Sequence, residues 1–168
     1  DLYYHTVVGD NEKRLLSAID IGAKRSDILI LTGGLGPTYD DITKEAVAKA
    51  FKKDLHLDNA SLKMIEDYFA KTNRKMTQNN IKQAYIINDS TVLPNPNGTA
   101  PGMILEAEYE GKNVISILMP GPPSEMTAML NDSVLPYLNQ RSGVILHSHT
   151  IRIYGIGESK VESDLKDL

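Results

Sequence analysis

Asp27-Ile28-Leu29-Ile30-Leu31-Thr32-Gly33-Gly34-Leu35-Gly36-Pro37-Thr38-Tyr39-Asp40-Asp41 sets the class of the fold. Residues 27–32 form a short, largely apolar run of the kind found in strands buried on both faces. The run breaks into a Gly-rich turn, and residues 43–51 then take up a helical pattern built from good helix formers. Upstream, residues 2–8 are rich in β-branched and aromatic types and read as a strand. Beyond Gly9, Leu15, Leu16, Ile19 and Ala23 recur at helical spacing, with Asp10 or Asn11 where an N-cap belongs. Strand, helix and strand make a βαβ unit.

Downstream the alternation continues. Leu62, Ile65 and Phe69 put an apolar stripe on a helix over residues 59–71, and a shorter helical segment is expected over 78–84. Residues 90–100, crowded with Pro94, Asn95, Pro96, Asn97 and Gly98, read as an irregular loop entered from a short strand. Two strands, 103–109 and 113–119, flank Glu110-Gly111-Lys112, a tight hairpin in which Gly111 supplies a positive φ. Pro120-Gly121-Pro122-Pro123-Ser124 is a second strand-to-helix junction, with Met126, Leu130, Val134 and Leu138 four apart behind it. A strand over 145–154 and a helix from Glu158 complete the expected order. Strands alternating with helices predict an α/β fold, a three-layer α/β/α sandwich with a mostly parallel sheet. Ligands of such sheets bind beyond the C-terminal ends of the strands. The loops at 33–37, 94–102 and 120–123 share one crevice if their strands are neighbours.

Composition narrows the function. At 168 residues the chain suits one domain with a substantial core. It has no cysteine, which excludes disulfides, thiolate metal sites and a cysteine nucleophile and fits a cytoplasmic location. No apolar run approaches the ~18 residues of a membrane span, so no membrane association is expected. A net charge of −4 with no dense basic stretch, no tryptophan and two phenylalanines gives no nucleic-acid footprint.

The motifs point to phosphate chemistry. Gly33, Gly34 and Gly36 let backbone N–H groups approach an anion, and the helix behind them adds its positive end. The alternative is a tight turn that only needs glycine. The spacing matches neither the Walker nor the Rossmann pattern. Asp40 and Asp41 beside such a cradle suit a divalent cation bridging carboxylate and phosphate; Asp41 as a helix cap on the amides of Thr43 or Lys44 is the structural alternative, as it is for Asp10. The loop of Asn95, Gly98 and Thr99 offers amide and hydroxyl donors for a sugar or phosphate, or packs on itself. Ser124 is read as a cap or a phosphate contact beside Gly121. His147 and His149 share one face of the expected last strand but have no third ligand nearby and read as structural. No nucleophile elbow is present.

Residues 32–41 resemble the signature of the CinA family, within the wider molybdopterin-binding superfamily. The resemblance extends through Val8-Gly9-Asp10-Asn11, residues 76–84, residues 95–102, residues 119–126 and Gly155-Ile156-Gly157-Glu158-Ser159. It implies a three-layer domain with a metal-dependent ADP-ribose pyrophosphatase activity, releasing AMP and ribose 5-phosphate. It also implies functional roles for Asp41 and Asp10. In that reading Asp41, with Asp40 or Asp10, anchors Mg²⁺ or a transition metal, and the loop amides hold the diphosphate. Asn79, Lys82 and Thr99 touch ribose or phosphate. Family members normally carry a further strand and helix ahead of Asp1, and often a C-terminal nicotinamide mononucleotide deamidase domain. Neither is expected in residues 1–168, and an open sheet edge is the expected consequence. A homodimer or larger assembly is implied. Two other readings stand beside hydrolysis, namely pterin binding or adenylyl transfer, and a non-catalytic domain that assembles oligomers or contacts a competence partner.

Overall fold

The computed structural model describes residues 2–142, 150 and 152–166. Helix α1, Glu12–Arg25, opens at Asn11, whose side-chain oxygen accepts from the Arg14 amide at 3.1 Å. Of the two candidate caps it is therefore Asn11, not Asp10, that satisfies an orphan donor, a contribution of about 1 kcal/mol. Strand β1, Ile28–Thr32, follows, then helix α2, Thr43–Ala50, and strand β2, Leu55–Leu57. Helix α3, Asn59–Lys71, is capped by the Asp58 carboxylate on the Ser61 amide at 2.7 Å. A 3₁₀ helix, Gln78–Ala84, leads into strand β3, Tyr85–Ile87, and strand β4, Thr91–Leu93.

Strands β5, Gly102–Tyr109, and β6, Lys112–Met119, form the expected hairpin. Both turn residues are left-handed, Glu110 at φ 49° and Gly111 at φ 86°, which matches the twist of the flanking strands. Helix α4, Pro123–Met129, passes through a π turn, Leu130–Val134, into α5, Leu135–Ser142. Pro136 lacks an N–H and its ring conflicts with a carbonyl one turn back, and the wider turn carries the helix past it. Helix α6 spans Glu158–Leu165.

The main sheet has the order β1-β6-β5-β4. Its helices lie on both faces, as the α/β class requires. The pairing is mixed: β1 and β6 are parallel, while β6 with β5 and β5 with β4 are antiparallel. A two-residue hairpin can join only antiparallel neighbours, and this one occupies the middle of the sheet. Strands β2 and β3 pair separately and antiparallel. Side chains alternate across β6. Val114 and Leu118 join Ile19, Ala23, Ala46, Val47 and Leu105 in one core beneath α1 and α2; Ile117 and Met119 join Ile104, Met129 and Val134 in another beneath α4 and α5.

Residues 27–32 are not buried on both faces, since Ile28 and Ile30 are exposed, and two further expectations do not hold. Residues 2–8 pair with no strand among the described residues, and Leu2, Tyr3 and Val7 are exposed. β-propensity records how a side chain suits a pleated surface, and it makes no strand without a partner edge. Strand β1 accordingly lies at the border of the sheet, with Ile28 and Ile30 exposed on one face while Leu29 and Leu31 face the core. Second, Thr150 and residues 152–154 are irregular, whereas the rest of the strand expected over 145–154, with His147 and His149, falls outside the described residues.

Candidate functional site

The parallel pairing of β1 and β6 aligns Thr32 with Met119, so both Gly-bearing loops leave the sheet side by side. The Gly33 amide donates to the Met119 carbonyl at 3.0 Å. Beyond it the two turns abut: a Cβ on Gly121 would lie 3.3 Å from the Gly33 Cα. Because β5 runs against β6, with Met103 opposite Leu118, the loop that precedes β5 comes to the same end. The three loops share one end of the sheet, because the strands that carry them are neighbours.

The Gly-rich turn needs its glycines. Gly33 and Gly34 take φ of 89° and 68°, and the Gly34 carbonyl accepts from the Thr43 amide at 3.1 Å, which docks the turn on the start of α2. Among the described residues the amides of Gly34, Leu35 and Gly36 have no acceptor, although Leu35 is buried. The amides of Gly121 and Ser124 are open in the same way. Unpaired backbone donors in a Gly-rich turn, as at Gly34 to Gly36, or at the start of a helix, as at Ser124, are the groups that hold an anion. Ser124 does not cap α4, whose first turn is instead set by Pro122 and Pro123.

Asp40 and Asp41 both turn toward Thr38. The Asp41 carboxylate accepts from the Thr38 amide at 2.9 Å and from its hydroxyl at 2.5 Å, and Asp40 accepts from the same hydroxyl. These bonds hold the Asp40 carboxyl below its ordinary range, the Thr38 hydroxyl being the main cause. Asp41 is thus no cap of α2, whose N-cap is Ile42 without a side-chain bond. It closes the 38–41 loop and lies against Gly36. Asp10 stands apart, exposed in a bend before α1. Its neighbour Glu12 pairs with Lys49, at the other end of α2 from the Gly-rich turn, at 2.6 Å.

Lys82 donates its ammonium to the backbone carbonyls of Thr38, at 3.0 Å, and of Asp41, and lies 3.7 Å from the Glu45 carboxylate. The structure therefore places Lys82 as a brace beneath the acidic loop. Asn79 is exposed, whereas its neighbours are engaged. Asn80 accepts from the Thr77 amide at 2.9 Å and donates to Gln83 at 3.2 Å, and Gln83 donates to the Thr99 hydroxyl at 2.9 Å. Sequence reasoning missed Asn80 and Gln83. The signal was a period of three, since Thr77, Asn80 and Gln83 share one face of a 3₁₀ helix.

It also missed Lys44, buried and donating to the Lys82 carbonyl, and Glu125. The Asn95 amide bridges the Ala100 carbonyl at 2.9 Å and the Glu125 carboxylate at 2.7 Å. A Cβ on Gly98 would come within 2.1 Å of that carboxylate. The proline-rich loop is thereby latched to the first turn of α4.

Among the described residues no group of three or more His, Cys, Asp or Glu side chains could hold a metal. Asp40, Asp41 and Thr38 offer a small set of hard oxygen donors. That set suits a cation of the Mg²⁺ type, which takes one or two carboxylates and completes its shell with water and substrate phosphate. A separate concavity of about 630 Å³ lies against α1, lined by Val7, Val8, Lys13, Arg14, Ile21 and Arg25. It is bounded by the irregular segment 6–9 and has none of the open loop amides, so the loop end is the better candidate.

Residues 1–140 match the family described as "Probable molybdopterin binding domain". The crystal structure of CinA from Thermoplasma acidophilum is 35% identical and superposes with a TM-score of 0.64 over 76% of this chain and 72% of that one. The chain belongs to the CinA family. A CinA-like protein of Dictyoglomus thermophilum is 53% identical over 167 residues, and a Clostridium beijerinckii protein named as competence-damage inducible is 54% identical over 168. Each match takes in 99% or more of this chain and 40% of the relative, so the CinA sequence here spans about two fifths of the curated relatives' length. No helix among the described residues of this CinA chain is long and apolar enough to cross a membrane.

Proposed function

We propose that this domain binds the diphosphate of a nucleotide and, with a divalent cation, hydrolyses ADP-ribose to AMP and ribose 5-phosphate. The observation that carries the reading is the set of open amides at Gly34, Leu35, Gly36, Gly121 and Ser124 on two abutting turns. Fixed donors of this kind stabilise charge on phosphoryl oxygens without reorganising. Asp40 and Asp41, held by Thr38, stand at the border of that cradle. The two would hold the cation, which when bound offsets phosphate charge and lowers the pKa of a water. A carboxylate oxygen of Asp40 or Asp41 that the cation leaves free would orient the attacking water and receive its proton. Lys82 keeps the 38–41 loop in place, while Thr99 and Asn95 border the opposite wall.

The test is an HPLC assay of the full-length protein with ADP-ribose and a panel of divalent metals. Metal-dependent AMP release supports the reading, and folded protein that releases none under any metal rejects it. The family description favours one second reading, binding of a pterin or adenylyl transfer to it, for which a pterin titration is the discriminating measurement.

A further inference from the structure

The buried amide chain from Thr77 to Thr99 has a direction. It begins at the backbone N–H of Thr77, a group that can only donate. Asn80 must therefore present its carbonyl oxygen to Thr77, at 2.9 Å, and turn its NH₂ to Gln83, at 3.2 Å. Gln83 must receive that bond on its own carbonyl oxygen, which leaves its NH₂ for the Thr99 hydroxyl oxygen at 2.9 Å. Asn80 and Gln83 are 8% and 2% exposed, so water cannot relax this order. The Thr99 oxygen is thus an acceptor toward the protein, and its hydrogen is left over. Among the described residues no acceptor takes that hydrogen, and Thr99 is only partly buried, in the loop whose Asn95 and Asn97 reach Glu125 and the Ser124 carbonyl beside the second Gly-bearing turn.

We propose that Thr99 donates its hydroxyl hydrogen to an anionic phosphate oxygen of the bound ligand, and that Gln83 is a positioning residue that fixes this polarity without touching the ligand. The inference rests on the phosphate reading of the site, and it is independent of whether the anhydride is cleaved. It selects for a ligand that offers an acceptor at this point.

Titration calorimetry of the full-length protein with inorganic pyrophosphate tests it, with melting curves as the control for folding. Thr99→Val removes the hydroxyl at constant shape and should weaken binding on the order of tenfold, while Thr99→Ser should restore it. Gln83→Glu keeps the shape and still accepts from Asn80. Measured where the new carboxylate is ionised, it can only accept from Thr99, so it draws the hydroxyl hydrogen inward. It should weaken binding as Thr99→Val does, and should add nothing in the Thr99→Val protein. A purely structural defect would weaken both backgrounds equally, and that result overturns the proposal. So does unchanged binding in Thr99→Val, or wild-type protein that binds no pyrophosphate. If pyrophosphate binding follows the expected pattern but ADP-ribose is not cleaved, the hydrolytic reading falls and this one stands. If ADP-ribose is cleaved with the same KM by Thr99→Val, the reverse holds.

Discussion

The ammonium of Lys44, 1% exposed, donates to the backbone carbonyl of Lys82 and so ties the first turn of α2 to the 3₁₀ helix. Burial pushes the Lys44 pKa down to about 8, against the attraction of Glu45 and Asp41. An unfolded lysine keeps its proton to about 10.4. Between these two values the unfolded chain therefore binds a proton that the native state has lost, and stability rises with pH across that window. The cost of burying the charge is present in full below pH 8 and is relieved above it. Urea unfolding from about pH 7.5 to 9.5, below the range where the raised pKa values of Tyr109 and Tyr137 reverse the trend, should show a gain on the order of 1–2 kcal/mol in the wild type. Lys44→Met should abolish the slope; equal slopes in the two proteins would refute this account.

Lys82 braces the acidic loop through two carbonyls. Lys82→Met leaves both without their donor and should cost about 1–2 kcal/mol. Turnover should fall about tenfold or more through misplacement of Asp40 and Asp41. Hydrogen exchange gives the local readout: the Thr38 amide, bonded to Asp41, should lose protection while the β5–β6 ladder keeps it.

Two glycines in one turn should fail differently. Gly34→Ala forces a side chain into a φ of 68° and puts its Cβ 2.1 Å from the Thr43 hydroxyl oxygen, a strain of about 1–3 kcal/mol visible in any melting curve. Gly36 has no positive φ, and the three atoms nearest its added Cβ would all belong to the Asp41 carboxyl, the first at 2.4 Å. Gly36→Ala should therefore leave stability within about 0.5 kcal/mol and still lose activity, because Asp41 must move. Equal stability losses in the two variants would contradict this.

The side chain of Asn at position 41 can still accept from the Thr38 amide, so Asp41→Asn should melt with the wild type. It should release AMP from ADP-ribose at least about 100-fold more slowly and with a weaker dependence on metal concentration. Unchanged turnover would remove Asp41 from the site.

Local signals carried much of this structure. The Gly-rich turns, the α3 boundaries at Asn59 and Lys71 and the β5–β6 hairpin were all legible, because each is specified by residues a few positions apart. Residues 2–8 have strand composition but no strand, since pairing depends on a remote edge that composition does not report. The mixed sheet was implicit in the hairpin at Gly111, yet the alternation of strands and helices suggested a mostly parallel one. At the site, Gly33, Gly36, Asp40 and Asp41 could be named from their spacing. Lys44 could not, as a lysine on a short helix ordinarily faces water, and only the docking of the 3₁₀ helix buries it. Asn79 came from the family resemblance, and Asn80 was passed over because its place on one face with Thr77 and Gln83 shows only once the segment is known to turn every three residues.

Adjacent residues of that 3₁₀ helix grip two different loops, Lys82 the acidic loop and Gln83 the Thr99 loop. One step of such a helix advances about 2 Å, and neither grip can shift without dragging the other. The spacing of the acidic loop and the Thr99 loop is therefore set by the one short helix that holds both, and under the proposed function it would gauge the length of a ligand.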